Sequence, residues 1–197
     1  MFELRKARLD DDLDFSELIL ISSPYFKFLF GDSIKSVLKI LFRSPSNLFS
    51  FEHTYFVEVN NKKAGMVLAY GWQEEKEEDF RTGFLFFKNL GFSLLIKLPI
   101  LLKLNNTVGK LGRGEYYISN LSVYPSFRRL GIGKMLISEC EKIAKYSGAK
   151  KIVLDVEKDN TNAISFYKKL DYTIVKEFSI PFITGRNLEF YRMIKTV

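Results

Sequence analysis

The residues best suited to chemistry are two glycines among basic side chains, in the run Arg128-Arg129-Leu130-Gly131-Ile132-Gly133-Lys134. Glycine has no Cβ atom, so the chain can turn sharply there and a ligand can approach the backbone. A predicted helix, residues 134–146, begins at the end of this loop, and the first N–H groups of a helix have no intrahelical partner. The loop and the positive end of the helix dipole therefore predict a site for an anion such as a pyrophosphate. On these residues alone, a strand-to-helix turn that merely needs glycine is an equal alternative.

The elements around this loop alternate between strand and helix. A strand at residues 116–123 precedes the loop, and a second strand (151–156) and a second helix (162–170) follow the first helix. This alternation is typical of the α/β class, with helices packed on a sheet.

The composition limits the functions to consider. A length of 197 residues suits a single domain, residues 1–197, and a net charge of +7 suits an anionic ligand, although charge alone does not separate a cofactor phosphate from nucleic acid or a membrane surface. The lone cysteine, Cys140, excludes an internal disulfide and favours a reducing, cytoplasmic setting. The charged N-terminus does not read as an export signal, and no apolar run reaches the roughly 18 residues that predict a transmembrane helix. We expect no metal site.

The rest of the chain predicts a mixed set of strands and helices. Strands are predicted at residues 2–8, 54–59, 64–71, 173–178 and 188–194, and helices at 13–22 and 34–42. The acidic run at residues 74–79 reads as a solvated face.

A helical insertion is predicted at about residues 75–110. From Phe80 to Gly114 there is no acidic residue, and the apolar residues are too dense for an ordinary amphipathic helix. We predict one or two helices, split near Gly91 and again at Pro99. Three interpretations stay open: a helix packed on the core or on a partner subunit, a wall of an acceptor site, and a helix on a membrane surface.

Two runs of residues in the central block resemble a known family. The run from Val123 to Gly133 resembles the acetyl-CoA-binding motif of the GCN5-related N-acetyltransferases (GNAT), and the segment from Leu154 to Tyr172 is similar to the motif N-x-x-A-x-x-F-Y-x-x-x-G-F that follows it. The resemblance covers about residues 115–175. One departure is Asp171, which stands where the family usually has glycine.

The resemblance implies a fold and a cofactor site. The fold is a twisted mixed sheet of about seven strands, splayed between strands 4 and 5, with helices on both faces and the helical insertion between strands 3 and 4. Acetyl-CoA (coenzyme A) is the implied cofactor, with its pantetheine arm in the splay. The residues implied to bind it are Leu121, Ser122, Val123, Arg128, Arg129, Leu130, Gly131, Ile132, Gly133, Lys134, Asn160, Ala163 and Tyr167.

The resemblance also implies catalytic roles for three residues. Tyr167 matches the tyrosine that protonates the departing thiolate, and Tyr117 matches a tyrosine used by some protein N-terminal acetyltransferases. Those enzymes carry a glutamate or histidine at the position of Asp155, our first candidate for the general base. An ordinary aspartate, with a pKa of about 3.9, needs burial or an ordered water for that role, and it is equally compatible with pairing to a basic side chain. His53, the only histidine, is expected to be structural or exposed.

The predicted function is direct transfer of an acetyl group to a primary amine, either a protein N-terminus or a small molecule. The apolar, aromatic and basic segments around the block favour an apolar or acidic acceptor. The alternative is a non-catalytic module that binds coenzyme A, nucleic acid or a membrane surface through the basic insertion. We recognise no nucleic-acid motif, so no nucleic-acid partner is expected. The resemblance also suggests a homodimer.

Overall fold

A computed structural model describes residues 2–91, 100, 103, 106–181 and 187–197 of the chain. Its strands form one seven-stranded sheet in the order β1-β2-β3-β4-β5-β7-β6. The strands are β1 (Phe2–Lys6), β2 (Thr54–Val59), β3 (Lys62–Gly71), β4 (Glu115–Val123), β5 (Lys151–Glu157), β6 (Thr173–Pro181) and β7 (Asn187–Thr196). The described helices are α1 (Asp12–Ser22), α2 (Tyr25–Phe30), α3 (Ile34–Arg43), α4 (Trp72–Leu90), α5 (Ile132–Tyr146) and α6 (Thr161–Lys168).

Helices cover both faces of the sheet, as predicted. Because side chains alternate along a strand, Met66 and Leu68 of β3 face one side and Val67 and Ala69 face the other. The first pair packs in a core with α1 and α3, and the second pair packs in a core with α5. The sheet is therefore the middle of three layers.

The sheet opens between β4 and β5, which confirms the predicted splay. These two strands are parallel, and they pair only from Glu115 with Lys151 to Ile118 with Leu154. Beyond that point β4 runs on to Val123, while β5 stays paired with β7 as far as Glu157. The two strands therefore diverge toward their carboxyl ends, and the divergence leaves backbone groups of β4 free to face a ligand.

The segment after β3 is helical, as predicted, and it breaks at the predicted glycine. Helix α4 ends at Leu90, and Gly91 follows with a φ of +61°, a left-handed conformation that suits glycine. The second predicted break, at Pro99, lies outside the described residues. Within the described residues, no helix is both long enough and apolar enough to cross a membrane.

The structure adds one helix to those predicted and corrects one expectation. The short helix α2 was not predicted. The acidic run also does more than face solvent, because Glu75 is only 2% exposed and accepts a hydrogen bond of 2.8 Å from Lys110. The turn at Asp171 needs no glycine: Asp171 itself takes a left-handed φ of +68°.

Candidate active site

The loop between β4 and α5 presents a row of unused backbone donors. Among the described residues, no acceptor pairs with the amides of residues 129–134; the last bonded amide before them is that of Arg128, which donates to the carbonyl of Pro125. Arg129 and Gly131 have positive φ values of 66° and 81°, which turn successive amides toward one side. A Cβ atom added at Gly131 would meet nothing within 4 Å. The loop is thus an open cradle at the positive end of a 15-residue helix, and it fits a pyrophosphate.

The two glycines of the loop have different tasks. Gly131 faces open space, whereas a Cβ at Gly133 would lie 3.2 Å from the ring of Phe166. Gly133 therefore allows α5 to approach α6 closely, which brings the cradle next to the helix that carries Tyr167. The sequence predicted ligand contact at both glycines without separating these tasks.

The splay leads into a cavity of about 490 Å³. Four of the predicted cofactor residues line it: Leu121, Asn160, Ala163 and Tyr167. Ser122, Val123 and the loop residues 128–134 lie outside its lining, and the carbonyl of Val123 accepts a 3.3 Å hydrogen bond from Arg128. The cradle and the cavity are therefore consecutive parts of one path along the end of β4, with the anion site outside and the cavity inside.

Helix α6 places two of the lining residues. Asn160 caps its first turn by accepting a 3.2 Å hydrogen bond from the amide of Ala163. Tyr167 lies one helical turn after Ala163, is 7% exposed, and packs edge-on against Phe166 and Tyr172. Burial raises the pKa of the Tyr167 phenol well above its ordinary value, so the hydroxyl stays protonated. At the cavity wall, such a phenol is a permanent hydrogen-bond donor.

Asp155 is held in a dense set of hydrogen bonds. Arg192 of β7 donates to both of its carboxylate oxygens at 2.8 Å, in a bidentate ion pair. The amide of Gly109 adds a bond of 3.0 Å and the hydroxyl of Tyr117 one of 3.2 Å. The side chain of Asp155 has no exposed surface. Because these donors occupy the lone pairs that a base would use, the geometry weighs against Asp155 as the general base and favours a role in positioning.

Replacing Asp155 with asparagine is expected to destabilise the fold by about 3 kcal/mol, because it leaves the Arg192 guanidinium without its counter-charge. Urea unfolding measures this loss. We also expect the acid limb of the pH–rate profile to survive in the folded fraction. Disappearance of that limb with unchanged stability would return the role of base to Asp155.

Tyr117 belongs to the same hydrogen-bonded set rather than to the open part of the cavity. It is 3% exposed, and its ring lies 5.7 Å from that of Tyr70. Burial, together with the charge of Asp155, raises the pKa of Tyr117 well above its ordinary value. Its hydroxyl is therefore a donor that fixes Asp155, and it remains protonated near neutral pH.

Glu157 is a functional candidate that was not predicted from the sequence. It lies two positions after Asp155 on β5, so it shares a strand face with Asp155, opposite to Leu154 and Val156. Glu157 lines the cavity, and no ion pair of the described residues in this region involves it. Burial and the nearby charge of Asp159 raise its pKa. A carboxylate with these properties is a better proton acceptor than an ordinary one. Strand alternation from Asp155 was the signal that could have found it.

His53 lies behind the wall of this cavity, not in its lining. Its Nε2 atom is 2.8 Å from a carboxylate oxygen of Glu78 on α4, and its ring packs edge-on against Tyr70. It is not among the described residues that line the cavity. This placement agrees with the structural role expected for it.

Comparison with known proteins agrees with the geometry. The model of the Acetyltransferase (GNAT) family matches residues 21–172. An acetyltransferase of Pectobacterium atrosepticum is 44% identical over 63 residues, which is 32% of this chain and 43% of the relative. An N-alpha-acetyltransferase of Sulfurisphaera tokodaii is 36% identical over 87 residues, 44% of this chain and 46% of the relative. The chain thus matches less than half the length of these curated relatives.

The likeness in structure extends over nearly the whole chain. The crystal structure of an N-acetyltransferase from Staphylococcus aureus Mu50 superposes with a TM-score of 0.70 and 20% sequence identity, covering 98% of this chain and all of the other (100%). At that identity the likeness concerns the fold alone. The family uses acetyl-CoA, whose pyrophosphate suits the cradle at residues 129–134. With a family model that matches residues 21–172 and this fold, the chain belongs to the GNAT family of acetyltransferases.

Proposed function

We propose that this chain is an acetyl-CoA-dependent N-acetyltransferase that transfers the acetyl group directly to a primary amine. One observation carries the proposal: a row of unused amides at a helix N-terminus leads, through the splay of β4 and β5, into a cavity with a carboxylate and a phenol in its wall. The acceptor is either a protein N-terminus or a small-molecule amine. The relative from Sulfurisphaera tokodaii that is named an N-alpha-acetyltransferase supports the first.

The donor is held by the backbone more than by side chains. The amides of residues 129–134 would bind the pyrophosphate, with Arg128, Arg129 and Lys134 adding positive charge. The free edge of β4 near Leu121, and Asn160 on the other side, would flank the pantetheine arm. When bound, acetyl-CoA supplies the acyl group as a thioester. The cavity then needs only to receive the amine, accept its proton and stabilise the leaving sulfur.

Two side chains assist the transfer, one as a proton acceptor and one as a hydrogen-bond donor. Glu157 accepts a proton from the ammonium group of the acceptor, because its raised pKa brings it closer to that of the amine. Tyr167, held protonated, donates a hydrogen bond to the sulfur as the carbon–sulfur bond breaks, and the second proton of the amine nitrogen passes to that sulfur, so that coenzyme A leaves as the thiol. Leu154 and Val156 pack with Tyr167 in one core, and Glu157 extends from the opposite face of β5. The phenol and the base therefore approach the reacting atoms from opposite sides of the sheet.

Direct transfer is supported by the state of the only cysteine. Cys140 is 1% exposed within the core between α5 and the sheet, and burial raises the pKa of its thiol far above the ordinary value. A buried thiol that stays protonated is a poor nucleophile. An acetyl-cysteine intermediate therefore has no support in this chain, and the amine itself is the nucleophile.

Gly131→Asp is expected to weaken acetyl-CoA binding at least tenfold, because like charges a few ångströms apart at a protein surface repel by more than the roughly 1.4 kcal/mol that a factor of ten requires. Gly148→Asp is the matched control. Gly148 follows the other end of α5, its φ of +77° resembles the +81° of Gly131, and an added Cβ meets nothing within 4 Å at either position.

Isothermal titration with acetyl-CoA measures the effect in both variants. Aspartate tolerates a left-handed conformation better than most residues, and its charge suits a helix N-terminus, so Gly131→Asp is expected to fold. Equal affinities for Gly131→Asp, Gly148→Asp and the unmodified protein would refute the assignment of the cradle.

Other features of the chain stay predictions. We propose one domain over residues 1–197 and a homodimer. Size-exclusion chromatography with light scattering tests the homodimer, and a monomer at assay concentrations would refute it.

A further inference from the structure

The cavity wall opposite the cofactor path is built largely of aromatic rings. They come from α2, α4, β7 and the segment before β2, and they contact one another. Phe86 of α4 stacks on Phe30 at 5.8 Å and meets Phe49 edge-on at 5.5 Å, and Phe26 lies 6.0 Å from Phe49. We name this half of the cavity the aromatic chamber, lined by Tyr25, Phe26, Phe30, Phe49, Phe86, Phe87 and Phe190.

The described lining of the cavity is acidic, although the chain as a whole is basic. The chain has 30 lysines and arginines, yet the described residues that line the cavity include three carboxylates, Asp79, Asp155 and Glu157, and no basic side chain. Asp155 is paired with Arg192, and Asp79 accepts a 3.0 Å hydrogen bond from Lys110. The negative charge of Glu157 has no such compensation among the described residues. The basic segments of the sequence predicted a basic wall and an apolar or acidic acceptor, and the described lining reverses the sign of that charge.

We propose, on the basis of the function proposed above, that the aromatic chamber binds an acceptor with a protonated primary amine and an aromatic body. The carboxylate of Glu157 attracts the ammonium group, and ring faces stabilise a cation and an aromatic group alike. An acidic acceptor would meet only like charge at Glu157. A polyamine would bury a second charged group among the rings, away from Glu157, and the desolvation of that charge costs more than the burial of a neutral ring.

The size of the site agrees with this acceptor. Small-molecule sites usually enclose about 300–1,000 Å³, and this cavity of about 490 Å³ must also hold the acyl end of the donor. The remaining space suits one ring and a short alkyl arm. A free arylalkylamine and a polypeptide that begins with an aromatic residue present the same chemistry, and the experiment must separate these sources.

The first experiment measures release of coenzyme A with a panel of acceptors. The panel is phenethylamine, a tetrapeptide that begins with phenylalanine, ethylamine, putrescine and aspartic acid amide. We expect phenethylamine to have a KM roughly tenfold to a hundredfold below that of ethylamine, because the chamber removes a phenyl-sized group from water. Titration of phenethylamine into the protein without donor supplies a second readout that does not depend on turnover.

Gly83 offers a way to fill the chamber without disturbing the fold. It lies within α4 and lines the cavity, and a Cβ added there meets nothing within 4 Å. Alanine and leucine both suit a helix interior better than glycine. We expect Gly83→Leu to raise the KM for phenethylamine at least roughly tenfold, Gly83→Ala to have a smaller effect, and both to leave acetyl-CoA affinity unchanged. Phe80→Leu is the control, because Phe80 is 88% exposed on the same helix and outside the cavity lining.

Each outcome decides the proposal. Preference for phenethylamine, or for the phenylalanine-led peptide, supports the proposed chemistry and identifies the source. Preference for putrescine or for aspartic acid amide overturns it, as does an unchanged KM in Gly83→Leu. Acetyl-CoA binding without transfer to any aromatic amine refutes the aromatic acceptor but does not refute the proposed acetyl-CoA site. Failure to bind acetyl-CoA at all refutes the proposed function as well.

Discussion

Replacing Glu157 with glutamine is expected to lower kcat/KM by about 10²–10⁴ near neutral pH, the usual contribution of a positioned general base. Glutamine keeps the shape of the side chain and its hydrogen-bonding oxygen, but it cannot accept the proton of the acceptor ammonium. The defect should be smaller for an acceptor that is already partly neutral. An α-amine with a pKa of about 7.7–8.0 should therefore suffer less than an alkylamine near 10.4.

The pH dependence follows from the direction of the Glu157 pKa shift. Burial and Asp159 raise this pKa, and the base works only when deprotonated, so kcat/KM should fall as pH drops through the raised value. Asp159→Asn is the matched control, since it removes the neighbouring charge and leaves Glu157 in place. The acid limb should move to lower pH in Asp159→Asn, whereas in Glu157→Gln it should be replaced by a limb that follows the pKa of the acceptor amine. An acid limb in Glu157→Gln that matches the unmodified enzyme would remove Glu157 from the mechanism.

The free energy of unfolding distinguishes a catalytic role of Glu157 from a structural one. A carboxyl group with a raised pKa in the folded state costs stability when it is charged, and the fold gains stability as pH falls through that pKa. Glu157→Gln should therefore be at least as stable as the unmodified protein at neutral pH, as measured by urea unfolding. A clear loss of stability would indicate that Glu157 supports the fold instead.

Tyr167→Phe is expected to reduce kcat by about 10²–10⁴ while acetyl-CoA affinity changes little. The phenol is held protonated by burial, so it donates at every pH at which the protein is folded, and phenylalanine keeps the ring packing on Phe166 and Tyr172. The lost interaction is one that forms as negative charge develops on sulfur. The loss should therefore appear in kcat more than in binding.

Tyr172→Phe is the control for Tyr167→Phe. Tyr172 is 1% exposed, and its ring lies 5.7 Å from that of Tyr167, but it is not among the described residues that line the cavity. Loss of its hydroxyl tests the effect of a buried phenol in the same core. Equal turnover in Tyr167→Phe and Tyr172→Phe would mean that Tyr167 is only a core aromatic, the alternative that its helical spacing also allows.

The sequence predicted the donor half of the site because its signals are local. The glycine loop, the preceding strand and the helix after it lie within a few residues of one another, so spacing and turn chemistry identified them. These local signals do not distinguish Gly131 from Gly133, since the contact between Gly133 and Phe166 joins residues that are distant in the chain. The splay followed from the resemblance, and the strand pairing confirms it.

The acceptor half was beyond local reasoning. Asp155 and Arg192 are 37 residues apart, and no spacing rule predicts their bidentate pair. The chamber brings together Phe30, Phe49 and Phe86 from three separate segments, one of them the six-residue helix α2 that was not predicted. Basic residues in the insertion suggested a basic wall, because composition does not show which way a side chain points. In the structure Lys110 pairs with Glu75 and Asp79.

The most direct test follows a labelled acetyl group through one turnover. The protein is mixed with acetyl-CoA labelled in its acetyl group and with phenethylamine, and the reaction is quenched over time. We predict that free coenzyme A and the labelled amide appear in equal amounts and at equal rates, with no label on the protein. Label that accumulates on the protein before the amide appears would contradict direct transfer, and the absence of any labelled amide in this assay and with every other primary amine tested would contradict the assignment of the site as an N-acetyltransferase.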